Sequence, residues 1–145
     1  MSGFLLDTNV ISELTRPKPE PRVTQWLDSI DESQLYLSVL TLGEIRKGLR
    51  TMSPGQRRTR LEMWLTTNLK TRFAGRLLDI DAAVADYWGQ LAGDARRQGV
   101  AVPVIDGLLA ATALHHHLTM VTRNVQDYMV HQNIQAFNPW DTLEP

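Results

Sequence analysis

The stretch "FLLDTNVISEL", Phe4 to Leu14, changes its character at one residue. "GFLLD" is a flat apolar run, too short for a helix, and reads as a strand that stops on Asp7. A helix then begins at Thr8, with Asp7 as a favoured residue type for its cap. Whether the Asp7 carboxylate serves the helix or some chemistry beyond the strand end is the first question the sequence poses.

The same handover recurs down the chain. "LYLSV" (Leu35 to Val39), "RLLDI" (Arg76 to Ile80), "LTMVT" (Leu118 to Thr122) and "IQAF" (Ile134 to Phe137) read as further short strands. Between them lie helical patterns. Val23, Trp26, Leu27 and Ile30 share one face, and Leu42, Ile45 and Leu49 another. "SPGQ" from Ser53 has the form of a helix start, with Leu61, Trp64, Leu65 and Leu69 continuing it. Asp81 can cap a helix whose apolar face is Val84, Trp88, Leu91 and Ala95. A helix carrying Ile105, Leu108, Leu109 and Thr112 precedes the fourth strand. Strand–helix alternation of this kind predicts an α/β fold: a central parallel sheet of four to five strands with helices on both faces, joined by right-handed crossovers. The active crevice of such a sheet lies beyond the carboxyl ends of its strands.

Composition sets the outer limits. The chain has 145 residues, 43% hydrophobic and 21% charged, which suits one domain over 1–145 with a substantial core. Its formal charge of -1 does not announce a nucleic-acid binder, so any such role must rest on local clusters. With no cysteine, disulfides, zinc-thiolate sites, iron–sulfur clusters and thiol nucleophiles are excluded. No apolar run reaches membrane-spanning length, and the amino terminus meets an acid almost at once. The expectation is a cytoplasmic protein without a signal peptide.

Acidic residues collect at the strand ends. Asp7 follows the first strand, and Glu44 falls in the first helical turns after the second. Asp106 opens the helix before the fourth strand, and "TRNVQD" after it offers Asn124 and Asp127. Gathered carboxylates repel one another, and a hard divalent cation removes the conflict. Metal-assisted phosphodiester hydrolysis is the natural chemistry of such a set. Each residue also has a structural reading. "TLGE" from Thr41 matches a capping box that would occupy Glu44. Asp106 favours a helix N-terminus electrostatically, and Asn124 and Asp127 suit turns.

"HHH" at His115 to His117 invites a metal reading that helical geometry denies. Consecutive residues point about 100° apart, and a helical zinc pair needs a four-residue spacing. These histidines read as the close of a helix.

Together, "FLLDTNVISEL", "LSVLTLGEIRKGL", "DGLLAATAL", "LTMVTRNVQDY" and "FNPW" resemble the PIN-domain family over nearly the whole chain. More narrowly they are similar to the ribonuclease toxins of the VapC group, including the FitB-like plasmid-stability members. The resemblance implies a PIN-like fold and an endoribonuclease dependent on Mg²⁺, with Mn²⁺ as a substitute. It implies a cognate VapB/FitA-like antitoxin, a homodimer and a larger toxin–antitoxin assembly. By motif, Asp7, Glu44 and Asp106 are the catalytic and metal-binding acids. Asn124 stands where the family often has a fourth acid, and Asp127 is the neighbouring carboxylate able to share that role. Thr8, Asn9 and Thr122 orient the ligands. The implied cleavage leaves a 5′-phosphate and a 3′-hydroxyl.

For RNA phosphates, Arg46 and Lys47 are candidates because they share a helix with Glu44, and Arg123 because it follows the fourth strand. Trp26, Trp64 and Trp88 lie on apolar helix faces and read as core or dimer contacts. Two rival classes, a phosphotransferase and a nucleotide-binding module, fail on residues. A haloacid-dehalogenase-type phosphotransferase needs a second Asp where Asn9 stands, and no phosphate-binding glycine loop is present. Because Asn124 is neutral, the alternative is a catalytically weak or silent PIN-fold scaffold that binds RNA or protein.

Overall fold

The computed structural model describes residues 3–141. Met1 and Ser2, on which the absence of a signal peptide was partly read, lie outside the described residues, as do residues 142–145. Five short parallel strands form one sheet: β1 (Phe4–Leu6), β2 (Leu35–Ser38), β3 (Leu77–Leu78), β4 (Thr119–Val121) and β5 (Ala136–Phe137). Their spatial order is β3-β2-β1-β4-β5. Leu5 pairs with Tyr36 on one side and Met120 on the other, so β1 is central. The chain adds strands to one side of β1 and then to the other. That reversal opens a crevice between the carboxyl ends of β1 and β4.

Alternation along β1 divides the interior. Leu6 faces a cluster with Val10, Ile11, Leu27, Leu37 and Phe73. It is covered by α1 (Thr8–Leu14), α2 (Pro21–Ser29), α3 (Val39–Thr51) and α4 (Gln56–Met63). α4 runs through a π-helical stretch, Trp64–Leu69, into α5 (Lys70–Arg72). Leu5 faces the opposite cluster, with Leu109, Ala113, Met120 and Tyr128, under α6 (Ala82–Arg97) and α7 (Val104–His115). Helices therefore cover both faces, as the strand–helix alternation predicts. Among the described residues, no helix is long and apolar enough to cross a membrane.

Two expected helix starts are corrected. α3 begins directly after β2 at Val39, with Ser38 as its cap accepting from Leu40 N at 3.0 Å. Thr41 therefore lies inside the helix, and the Thr41–Glu44 capping box does not form. The sheet hands over to the helix without a loop, which leaves no extended residue at Thr41 for a cap to use. Likewise α4 starts at Gln56 with Gly55 in the cap position and no side-chain cap. "SPGQ" is thus the turn before the helix rather than its first turn. Elsewhere the cap assignments hold. Asp7 accepts from Thr8 N at 2.8 Å, and Asp81 from Val84 N at 2.9 Å. The histidine run closes α7: His115 ends it, His116 caps it, and His117 takes the left-handed conformation with φ 57°.

Of the tryptophans, Trp26 packs edge-on against Phe4 with centroids 5.1 Å apart. Trp88 meets α7 at Gly107, where an added Cβ would lie 2.9 Å from the indole ring. This close contact between α6 and α7 is one residue from Asp106.

Candidate active site

Asp7 is placed by the central strand and fixed by its neighbours. Its backbone N–H donates to Val121 O across to β4 at 2.9 Å. Its carboxylate is nearly buried, 8% exposed, and accepts three hydrogen bonds. Thr8 N donates to Oδ1 at 2.8 Å, while Thr122 Oγ1 and Tyr128 OH donate to Oδ2 at 2.8 and 3.0 Å. Thr122 uses its single proton on Asp7 and accepts from Asn9 Nδ2 (3.2 Å) and Asn124 N (3.0 Å), so its hydroxyl is saturated. Asn9 Oδ1 in turn accepts from Arg123 N at 3.3 Å, tying the loop after β4 to α1. Asp7 is both the cap of α1 and the centre of this network, and neither role displaces the other.

Glu44 sits on α3 and is held by the Thr8 hydroxyl, which donates to Oε1 at 2.5 Å. Asp106 enters from the first turn of α7. That helix runs back along the sheet, so its N-terminus lies at the carboxyl edge of the strands. No hydrogen bond to the Asp106 carboxylate exists among the described residues. Burial raises its proton affinity first, and the charges of Asp7, Asp127 and Glu44 raise it further. This mutual repulsion is the electrostatic signature of gathered acids.

Asp7, Glu44, Asp106 and Asn124 line one open cavity of about 520 Å³, together with Thr8, Asn9 and Arg123. Asp127 is not among its lining residues and acts on the site through its charge on Asp106. Arg46 and Lys47 are not brought to the cavity either. Arg46 turns to Glu62 at 3.5 Å, which Arg50 and Arg58 also engage.

Three residues of the site escaped the sequence reading. Tyr128 is buried, and both burial and the Asp7 charge push its hydroxyl well above its ordinary pKa, so it remains a donor. Its only signal was its place directly after "TRNVQD". Glu13 is 4% exposed and lines the same cavity. It accepts from Glu20 N at 2.7 Å and from Arg16 at 3.3 Å, pinning the loop after α1. Trp140 lies beneath Arg123, the guanidinium 5.1 Å from its ring centroid.

The donor chemistry fits a hard, mostly hydrated cation. Every candidate ligand is an oxygen. Among the described residues no three His, Asp or Glu side chains close into a compact cage. An ion such as Mg²⁺, which keeps several waters, needs only one or two direct carboxylates.

A parallel sheet with this strand order and an acidic crevice at its switch point defines a class. The chain belongs to the PIN-domain family, whose model matches residues 4–126. It is 40% identical to toxin FitB of Neisseria gonorrhoeae over 137 residues, 94% of this chain and 98% of that protein. It is 35% identical to the VapC ribonuclease Y4jK of Sinorhizobium fredii over 138 residues, 95% of this chain and 98% of the relative. The crystal structure of FitAcB from Neisseria gonorrhoeae superposes with a TM-score of 0.89 at 39% identity, covering 96% of this chain and 99% of that one. A structure of FitAB bound to an IR36 DNA fragment matches equally well, with a TM-score of 0.89 at 37% identity over 97% and 98% of the two chains.

Proposed function

We propose that the chain is the toxin of a type II toxin–antitoxin pair, and that it acts as a Mg²⁺-dependent endoribonuclease on RNA phosphodiester bonds. The observation that carries this reading is the cavity on which Asp7, Glu44 and Asp106 meet at the switch point of the sheet. The likeness to toxin FitB and to a VapC ribonuclease over nearly the full chain supports it. Mg²⁺, with Mn²⁺ as a substitute, supplies when bound the positive charge that offsets the acids and the phosphate, and it acidifies the attacking water.

The chain's own residues then divide the work. Asp7 and Asp106 would hold the cation. Asp7 has its Oδ2 engaged by two donors and presents Oδ1, which accepts only from Thr8 N. Glu44, oriented by Thr8, and Asn124 position the attacking water. The partner is a VapB/FitA-like antitoxin, joined to a toxin homodimer in a larger assembly, and the site of action is the cytoplasm where RNA is met.

The test is cleavage of an end-labelled RNA by the purified protein in Mg²⁺, with EDTA and with Asp106→Asn as controls. Cleavage that survives both would overturn the reading. The neutral Asn124 favours one alternative, a PIN-fold scaffold. RNA binding without cleavage in either Mg²⁺ or Mn²⁺ would establish that instead.

A further inference from the structure

The sequence "RPKPEPR", Arg16 to Arg22, alternates three prolines with four charged residues, and of these only Arg16 lines the acidic cavity. It spans the loop between α1 and α2 and the start of α2, and forms one wall of a groove of about 620 Å³. Arg123, Asn124, Asn138 and Trp140, from beyond the carboxyl ends of β4 and β5, form the other wall. The groove opens into the acidic cavity: Glu13, Arg16, Arg123, Asn124 and Trp140 line both.

Its charges are unevenly committed. Four cations line it, Arg16, Lys18, Arg22 and Arg123, against three acids. Glu13 is buried and takes Glu20 N and Arg16. Glu20 caps α2 and takes Arg22 at 3.2 Å. Asp141 accepts from Asn138 Nδ2 at 3.2 Å. Lys18 and Arg123 are left exposed, with no ion pair among the described residues. Arg123 also lies over the Trp140 ring, its guanidinium carbon 5.1 Å from the ring centroid. Each proline fixes its own φ and restricts the residue before it, so Lys18 is presented from a stiffened loop. Preorganisation of this kind lowers the ordering cost of binding.

We propose that this groove receives the phosphates of single-stranded RNA on one side of the cleaved bond, with Lys18 and Arg123 as its main contacts. The inference rests on the ribonuclease reading and adds the direction in which the strand leaves the site. It runs across the α1–α2 loop rather than along α3, where Arg46 and Arg50 share Glu62 and Lys47 does not line the cavity.

The test is the salt dependence of binding to a fluorescently labelled single-stranded RNA, read by anisotropy in EDTA so that nothing is cut. Single-strand contacts contribute a slope of about 0.7 per phosphate neutralised. The double variant Lys18→Ala, Arg123→Ala is expected to lower the slope of log affinity against log salt by about 1.4. Lys18→Ala alone, at an exposed position where folding is not at risk, lowers it by about 0.7. The comparison variant Arg57→Ala, Arg60→Ala on α4 leaves the slope unchanged. An unchanged slope in the Lys18 and Arg123 variants, with a wild type that cleaves RNA in Mg²⁺, would overturn the groove and leave the ribonuclease standing. A wild type that neither binds nor cleaves RNA would overturn both.

Discussion

Asp7 and Asp106 face one cavity and are held in opposite ways. Asp7 accepts three hydrogen bonds, from a helix N–H, a saturated threonine and a buried tyrosine. Asp106 accepts none among the described residues, and burial, then the charges of three acids, raise its affinity for a proton. The fold thus builds one carboxylate as part of its frame and leaves the other electrostatically unsatisfied. On the proposed reading as a cation site, the first would fix where the ion goes, and the second would gain most when it arrives.

Substitution by asparagine breaks the comparison most severely. Either Asp7→Asn or Asp106→Asn is expected to lower RNA cleavage by about 10³-fold, since a metal's charge stabilisation is worth several kcal/mol. Stability in EDTA separates them. Asp7→Asn gives up charge-assisted hydrogen bonds worth about 1.5–3 kcal/mol each and melts lower. Asp106→Asn removes a repelled charge and melts at the same temperature as the wild type or higher. Thermal melts of the two variants without metal measure this directly, and a fall of equal size in both would remove the distinction.

Tyr128→Phe tests the frame alone, because only the hydroxyl is lost. Removing a group that orients a metal ligand typically costs ten- to a hundredfold in metal affinity. The expected result is weaker Mn²⁺ binding, followed by titration calorimetry, with the fold intact by circular dichroism. An unchanged affinity would assign the tyrosine to packing.

This contrast shows how far the sequence reaches. Asp7 and Asp106 were legible because each sits at a strand end or in the first turn of a helix that local pattern reveals, whereas Glu44 lies inside α3 and was legible through its motif. Their order along the chain also matches a known family. The Tyr128 hydroxyl was not, since it bonds a residue 121 positions away across β4. Glu13 carried no signal in the local pattern, because its burial depends on a loop folding back to offer Glu20 N. The Thr41 capping box failed for the converse reason. The local pattern was correct, but the sheet continued to Ser38 and the helix began at once, so tertiary register overrode it.

The Asp106 side depends on helix packing where the Asp7 side depends on hydrogen bonds. "AATA" after Asp106 reads as the small-residue face that brings α7 close, and Ala110, Ala111 and Ala113 are indeed fully buried. Gly107 lets Trp88 of α6 approach as well. Gly107→Ala places a methyl 2.9 Å from the indole and forces the ring or α7 to move. Overpacking of this kind costs about 1–3 kcal/mol. Urea unfolding is expected to show that loss, and restoring space with Trp88→Phe should recover part of it. Full additivity of the two changes would mean that the pair does not touch.

The smallest expected effect lies away from the site, behind the loop that carries Tyr128. His131 is buried, its Nε2 has no hydrogen-bond partner among the described residues, and burial lowers its pKa from the usual 6.5. Asp94 and Arg97 of α6 line the cavity beside it. The unfolded chain therefore takes up a proton near pH 6.5 that the folded chain refuses. Stability is complete above that pH and declines as the solution is acidified toward the lower folded value. Between about pH 7.5 and about pH 5.5 the loss from this one group is at most about 1.4 kcal/mol. His131→Phe keeps a planar ring without a titrating nitrogen, so its stability should fall less over the same interval. The other titrating groups are common to both proteins, so the difference between the two urea-unfolding series isolates the imidazole. If the two series fall in parallel, His131 accepts a proton in the folded state as readily as in the unfolded one, and the loop behind Tyr128 is open to water.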